Sequence, residues 1–527
     1  MALRYNIPKY SDRIGQDVQV KFGGLDRRLA ACDGAICDMT NMCGDEFPLA
    51  AVRKGRKELS EFQSLRCYAL CSYGGKLMLV TNTSFNVLEG MEYKKKGTVT
   101  ASPKIIANLG DYVIILPDKK YYRMSDDSFD SLEASWSGTA SFADGTYAGE
   151  AAEGCRIVTT GTDFPFKVGD AVTISGAKTE ANNQTIIIRE ISDDKKSLGF
   201  YEHSFTVEDG QTLEISRKVP DMDFICENEN RLWGCKGSTI YASKPGDPFN
   251  WNVFDGLASD SYAVDVGSGG DFTACCSYLG YPIFFKEDHI YKVYGSKPSN
   301  YQVMPSATLG VKAGSHLSLA IAGEILYYHS KVGIMAYSGG VPQCISLTLG
   351  DRTYKDATAG SDGVHYYVFM ADEKSGTTDL YCYDTNVKQW YREDTPGNGY
   401  IIGFTYFGNL IASTKNEIHE FASAKSNEGR IPSELEFADF IEGSPNKKST
   451  AKLLVRVELE DKSELTVKMS FDGSAYETVK TLVSGGKRSY YLPILVKRCD
   501  RFRVKFEGKG MWRLYSLTRE YSEGSAN

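Results

Sequence analysis

Histidine is scarce in this sequence: six residues in 527. No two of them stand at metal-ligand spacing, so His203, His289, His316, His329, His365 and His419 read as structural side chains and no metal site is expected. Basic charge is short as well. The 60 Lys and Arg are outnumbered by 68 Asp and Glu, for a net charge of −8. A general nucleic-acid-binding surface needs a cationic excess to exchange for counterions, and this balance argues against one. It remains compatible with a pore through which DNA slides without sticking. Short basic runs such as Lys94–Lys96 and Lys447–Lys448 read as solvated loop tips. No apolar run reaches the roughly 18 residues of a membrane-spanning helix. The opening "MALRYNIPKYSDRIG" lacks the apolar stretch of a secretory signal. Apolar residues seldom recur at helical spacing over three turns, so long helices are not expected.

The 13 cysteines are odd in number and irregularly spaced. Cys32, Cys37 and Cys43 form the densest group, but no CxxC pair or nearby histidine completes a zinc site. Cys67 with Cys71, and Cys275 with Cys276, sit in strand-like runs where cysteine acts as a small buried hydrophobe. Free thiols and the missing signal point to synthesis in a reducing cytoplasm. Catalytic signatures are absent too: there is no GxSxG, no Walker-type phosphate loop and no HExxH. "VDVGSGGDF" (264–272) clusters glycines without a following helix to present amides to a phosphate. "SFDGSAYETV" (470–479) only superficially resembles the Asp box of sialidase propellers, because its Gly follows the Asp directly and the closing Trp is missing. Paired acids of a glycosidase cannot be picked out among Asp255, Asp260 and Asp265. The expectation is a protein with no enzymatic activity, no catalytic residue and no cofactor.

What the chain has in plenty is aromatic and turn-forming residues: 33 Tyr, 25 Phe and 51 Gly. That composition favours strands joined by tight turns. From Arg66 onward one theme repeats. A strand ends in a small turn, a second apolar strand follows, and a polar turn leads to an aromatic-rich third strand. "RCYALCSYGGKLMLVTNTSFNVLEG" and "IIANLGDYVIILPDKKYYRM" are the first two copies. Five more begin at Phe224, Phe272, Leu317, Thr358 and Ile401. Self-similarity at a period of about 40–50 residues is the mark of a β-propeller, here of six to eight blades. Trp233, Trp251 and Trp390 could stack on sugars, but at such positions an aromatic is more often core between blades.

Around the repeats the chain divides into five spans. Residues 1–60 lack clear periodicity and read as an extended N-terminal arm. Residues 61–125 are the first part of the propeller. Residues 126–219 have short alternating strands of their own and read as a small β-barrel or sandwich inserted at a loop, where insertions are tolerated. Residues 220–425 resume the propeller, and 430–527 form a C-terminal β-sandwich. In that last span Leu453, Val455, Val457 and Leu459 share one face, as do Leu465, Val467 and Met469, and then Phe502, Val504 and Phe506. The predicted class is all-β.

"NRLWGCKGSTIYASKPGDPFNW" then resembles a hairpin of the tail nozzle (tail hub, "stabilization") proteins of short-tailed bacteriophages and related prophages. The matching residues are Asn230, Arg231, Leu232, Trp233, Ser243, Gly246, Asp247, Pro248 and Trp251. The N-terminal "DGAICDMTNMCGDEFPLAAVRKGR" is similar to the opening of the same proteins, through Asp33, Gly34, Asn41, Pro48, Arg53 and Arg56. "GVKAGSHLSLAIAGEILYYHSKVGIMAYSGG" and "LPILVKRCDRFRVKFEGKGMWRLYSLTREYSEGS" look like a blade and the sandwich ending of that group. The likeness touches nearly the whole chain except the 126–219 insert. It implies a structural virion protein made in the host cytoplasm and built into the tail as a ring, usually of six copies. Its implied partners are further copies of itself, the portal–adaptor connector and tail fibre or tip proteins, with genomic DNA passing through the lumen unread and no membrane segment. These motifs are packing and turn signatures, and the arm is expected to order against neighbours during assembly. The alternatives are a receptor- or carbohydrate-binding tail module and a propeller glycoside hydrolase.

Overall fold

A computed structural model describes residues 14–28, 33–61, 66–90, 92–267, 269–443, 446–483, 485–495 and 497–523. Among them there is no α-helix, only strands and five three-residue 3-10 turns. Two compact units divide the chain: Leu65–His316 is one, and Met1–Ser64 with Leu317–Asn527 is the other.

The protein is an all-β propeller chain, and its described residues form seven four-stranded antiparallel sheets, the blades. Four lie in the 65–316 unit and begin with the strands Cys67–Tyr73, Ile105–Leu109, Phe224–Asn228 and Ala274–Tyr278. Three lie in the other unit and begin with Ala320–Ala322, Tyr354–Ser361 and Gly403–Phe407. We number them blades 1 to 7 in chain order. Within each unit the first strands of consecutive blades pack on one another. The turn chemistry explains the hairpins. Gly74 and Gly75 have φ of 55° and 71° between the first two strands of blade 1, and Glu229 and Asn230 have 50° and 59° at the same corner of blade 3. Left-handed residues at both turn positions match the twist of the strands they join. Second strands are covered on both faces and read as unbroken apolar runs: Leu77 to Val80 and Tyr366 to Met370 are almost wholly buried. The sequence pattern had three strands per unit. The structure adds a fourth to each, as short as Gln343–Cys344 and Phe129–Ser131, too brief or too polar to show a periodicity.

The insert starts later than residue 126, because Phe129–Ser131 completes blade 2. Its strands run from Ala134–Tyr147 to Glu208–Arg217 in one seven-stranded antiparallel sheet. The two ends of that sheet, Thr185–Ile187 and Glu190–Ile191, are parts of one stretch of chain. One end pairs with Ala171–Ser175 and the other with Ser197–Gly199. The sheet therefore closes on itself as a small barrel around Phe142, Ile157, Phe200, Leu213 and Ile215.

The C-terminal sandwich packs a five-stranded against a seven-stranded sheet. Leu453, Val455, Val457, Leu465, Val467, Met469, Phe502, Val504 and Phe506 are fully buried between them. The span 430–527 does not build these sheets alone, and residues 14–61 are not an extended arm. Ile14–Gln19 pairs with Trp512–Glu523, Ile36–Thr40 with Pro432–Phe437, and Ala50–Val52 with Trp512–Glu523. Lys57–Glu61 is the fourth strand of blade 7, paired with Glu417–Glu420. The partners lie at the far end of the chain, so local periodicity could not reveal them.

Candidate functional site

The "NRLW…GDPFNW" stretch builds a seat for the barrel within the 65–316 unit. Asn230 is the exposed second residue of a hairpin turn, and its carbonyl accepts the Gly246 amide at 2.6 Å. Gly246 has φ of 68°, which glycine adopts without strain. Arg231 is buried and serves as a loop organiser: its guanidinium donates to the carbonyls of Ser243, Asp260 and Ala258. The Ser243 hydroxyl accepts the Leu232 amide at 3.1 Å and donates to the Lys244 carbonyl at 2.9 Å. Leu232 and Trp251 join the core between blades 2 and 3, while Trp233 packs between blades 3 and 4 against Tyr301 and Phe284. Asp247 accepts the Phe249 amide at 2.8 Å and an Asn250 amide proton at 2.7 Å. The Pro248 carbonyl accepts the Trp251 indole N–H at 2.9 Å.

Asn250 is the link that sequence reasoning missed. Its Nδ2 donates to Asp170 at 3.0 Å and its Oδ1 accepts the Ala171 amide at 3.0 Å, both in the barrel. Asp170 in turn holds Arg217 at 2.5 Å, and Arg217 lies over the Phe249 ring. Asp170, Arg217 and Asn250 are each at most 7% exposed. A buried ion pair of this kind fixes an orientation more than it adds stability.

The N-terminal residues form a second cluster, within the other unit. Asn41, fully buried with φ of 59°, accepts Arg53 Nε at 2.9 Å and the Asp394 amide at 3.0 Å, and donates to the Pro432 carbonyl at 2.7 Å. Arg53 pairs with Glu428 at 2.7 Å and Asp394 at 2.9 Å. Arg56 pairs with Glu393 at 2.6 Å and Asp394 at 2.8 Å, and covers the Phe421 ring. Asp33 accepts the amides of Ile441 and Glu442. Gly34 (φ 82°) sits against the Gln19 side chain, and Pro48, which follows a cis peptide bond, accepts the Phe22 amide at its own carbonyl. Arg53 and Arg56 thus tie together the N-terminal strands, the outer strand of blade 6 and the joint before the sandwich.

Both arginines line a cavity of about 430 Å³ together with Asp45, Lys54, Asp362, His365, Asp384 and Glu393. His365 lies among its carboxylates. Its Nδ1 faces Asp362 at 2.8 Å, and its Nε2 lies 3.5 Å from Asp45 and 3.6 Å from Asp384. Burial alone would lower its pKa. The hydrogen bonds to Asp362 and Asp45 and the charges of Asp362 and Asp384 outweigh that and push it up to about 10, so the imidazolium is the resting form. Conversely, Asp45 is held well below the usual carboxylate range by His365 and Lys54. Cys43 lines the same cavity, and burial with the Asp45 charge pushes its thiol up to about 12, which removes it as a nucleophile. The carboxylates are committed to cations and backbone amides: Asp384 accepts from Asn386 and Val387, and Asp362 from Val364 and His365. Among the described residues no group of three or more His, Cys, Asp or Glu side chains is arranged to hold a metal ion. Cys32, in the densest cysteine group, lies outside the described residues. Nothing in the spacing of His365 and Asp45, 320 positions apart, signalled that they meet.

No family model and no curated protein sequence matches the chain. Among solved structures it is similar to Kluyveromyces lactis Hsv2, with 9% identity and a TM-score of 0.32, over 80% of this chain and 99% of that one. It is also similar to PorZ, a bacterial surface component of the type-IX secretion system of Porphyromonas gingivalis, with 10% identity and a TM-score of 0.26, over 80% and 70%. A third is an exo-β-1,3-galactanase from Phanerochaete chrysosporium, with 9% identity and a TM-score of 0.22, over 56% and 95%. Likeness at this level carries no activity or ligand across to the chain.

Proposed function

We propose that this chain is a structural subunit of a ring in the tail of a short-tailed bacteriophage, a nozzle or hub below the portal and adaptor. In that role six copies surround the path of the genome, conduct it and help retain it before ejection. The observation that supports this reading is the use made of the residues that carry the family likeness. Arg231, Leu232, Trp233, Ser243 and Trp251 are packed into blade 3 and its loop, and Asn41, Arg53 and Arg56 into a buried ionic joint. Within each unit they fix strands and loops and offer little free chemistry. Rigidly packed parts suit a machine whose subunits must align by symmetry. A net charge of −8 suits a conduit, because each Lys or Arg contact to a phosphate would retard a moving strand.

The test is cryo-electron microscopy of the purified chain, alone and with its portal–adaptor complex. A closed ring of six or twelve copies with an axial channel is expected. A monomer mounted on a fibre would overturn the reading. The carbohydrate-binding alternative would stack sugars on Trp233, Trp251 and Trp390, but each is 2% exposed, which weighs against it. Saturable binding of a glycan to the isolated chain would reverse that judgement.

A further inference from the structure

Both sheets of the sandwich end on one hairpin-like bend of chain, whose two strands pair into different sheets and not with each other. Glu477–Val483 is the outermost strand of the five-stranded sheet, and Gly486–Pro493 is an outermost strand of the seven-stranded one. Neither has a strand partner on its outer side among the described residues. The hairpin and the turn after it also carry three of the more exposed large apolar side chains: Val483 at 67%, Tyr491 at 68% and Leu495 at 77%. Open edges with apolar residues are templates for association.

The charge around them selects the partner. Lys480, Lys487 and Arg488 are exposed. Among the described residues no carboxylate lies within ion-pair distance of any of the three, and Lys487 stacks on Tyr515 instead. The hairpin's Glu477 is occupied by Lys497 at 2.6 Å. Two such hairpins repel each other, so edge-to-edge pairing of identical hairpins is disfavoured. An acidic surface with exposed aromatics is favoured. The chain carries one at an end of its barrel. Glu150, Glu153 and Glu202 are exposed there. They flank Tyr201, half exposed and packed on Tyr147 with ring centroids 5.3 Å apart. The cations nearby are spoken for or weak: Arg189 covers Tyr201 but pairs with Asp255, Arg156 pairs with Glu190, and His203 sits between Glu153 and Glu202.

We infer that the basic hairpin 477–493 of one copy docks on the acidic barrel end of a second copy. The two patches differ, so the contact is heterologous, and repetition of a heterologous contact closes a ring or extends a filament. The inference rests on the ring reading and names the surfaces that would make it.

Two double variants test it in the full chain, Lys480→Glu with Arg488→Glu, and Glu153→Lys with Glu202→Lys. All four positions are exposed, and thermal melts establish that each variant folds. Assembly is followed by light scattering against concentration. Each variant alone is expected to raise the half-assembly concentration at least about tenfold, and an equimolar mixture of the two to recover most of that loss. Reversal variants that assemble as the unaltered chain does, or a mixture that recovers nothing, would overturn the contact while leaving the ring reading intact. An unaltered chain that stays monomeric at the highest attainable concentration, with or without portal and adaptor, overturns both.

Discussion

At the scale of single residues, the buried charges carry the clearest consequences. Arg56 is 4% exposed and satisfies Glu393, itself 5% exposed. Arg56→Ala leaves that carboxylate buried with only Arg53 Nε at 3.6 Å, and is expected to cost about 3 kcal/mol in urea unfolding. Arg56→Lys should recover only part of this, because an ammonium cannot reach Glu393 and Asp394 with the same planar fork. His365 gives a pH dependence whose sign follows from its raised pKa. Below the unfolded value, near 6.5, the imidazolium is present in both states and its contacts with Asp362, Asp45 and Asp384 contribute in full. That contribution declines as pH rises and is lost as the folded value of about 10 is passed. Stability measured between pH 6.5 and 10 should therefore fall in the unaltered protein, and the slope should flatten in His365→Asn. An unchanged slope would show that other groups govern the window. None of these pairings was legible beforehand. Arg53 and Arg56 were marked only by family likeness, and their partners Glu393, Asp394 and Glu428 had no sequence signal, since an ion pair across more than 330 positions leaves no periodicity.

At the scale of elements, the sequence was most legible where a turn is made by local chemistry. Gly74-Gly75 marks a hairpin because a left-handed turn restricts which residues stand there. The alternating runs Leu453–Leu459 and Leu465–Met469 mark sandwich strands because one face is buried. Fourth strands escaped notice: Gln343–Cys344 is two residues long, and Phe129–Ser131 is short, polar and inside the span assigned to the insert. The loop after the third strand of blade 3 shows how a motif can be seen without its purpose being seen. The turn around Gly246-Asp247-Pro248 was visible, but Asn250 matters through Asp170, 80 positions earlier. Asn250→Ala removes the amide donor from Asp170 Oδ1, while Arg217 and the Lys167 amide still hold Oδ2, and frees the Ala171 amide. We expect it to destabilise the barrel seat by about 1–3 kcal/mol. Limited proteolysis should then cut faster in the connections at 132–134 and 217–220, while the far-ultraviolet spectrum stays that of the unaltered protein. Equal cutting rates would mean that the Arg217 ion pair alone holds the seat.

At the scale of the whole molecule, the N-terminal residues decide between two pictures of assembly. Read from sequence, 1–60 is an arm waiting for a neighbour. In the structure, Ile14–Gln19, Ile36–Thr40 and Ala50–Val52 are strands of the sandwich and Lys57–Glu61 completes blade 7. Phe22, Leu25, Ile36, Met39 and Val52 are buried in the same core as Leu453 and Phe506. Removing residues 1–61 would expose that core and leave Trp512–Glu523, Pro432–Phe437 and Glu417–Glu420 each with an unpaired side. The loss reaches the scale of a domain's whole stability, about 5–15 kcal/mol. The truncated chain is therefore expected to be insoluble, or to have lost its cooperative melt. Co-expression of residues 1–61 as a separate peptide should restore solubility, because pairing with the C-terminal strands needs no covalent link. An arm that orders only against other copies predicts the opposite, a truncated chain that melts like the full one and fails only in assembly. Circular dichroism melts of the truncated chain, with and without the peptide, separate the two.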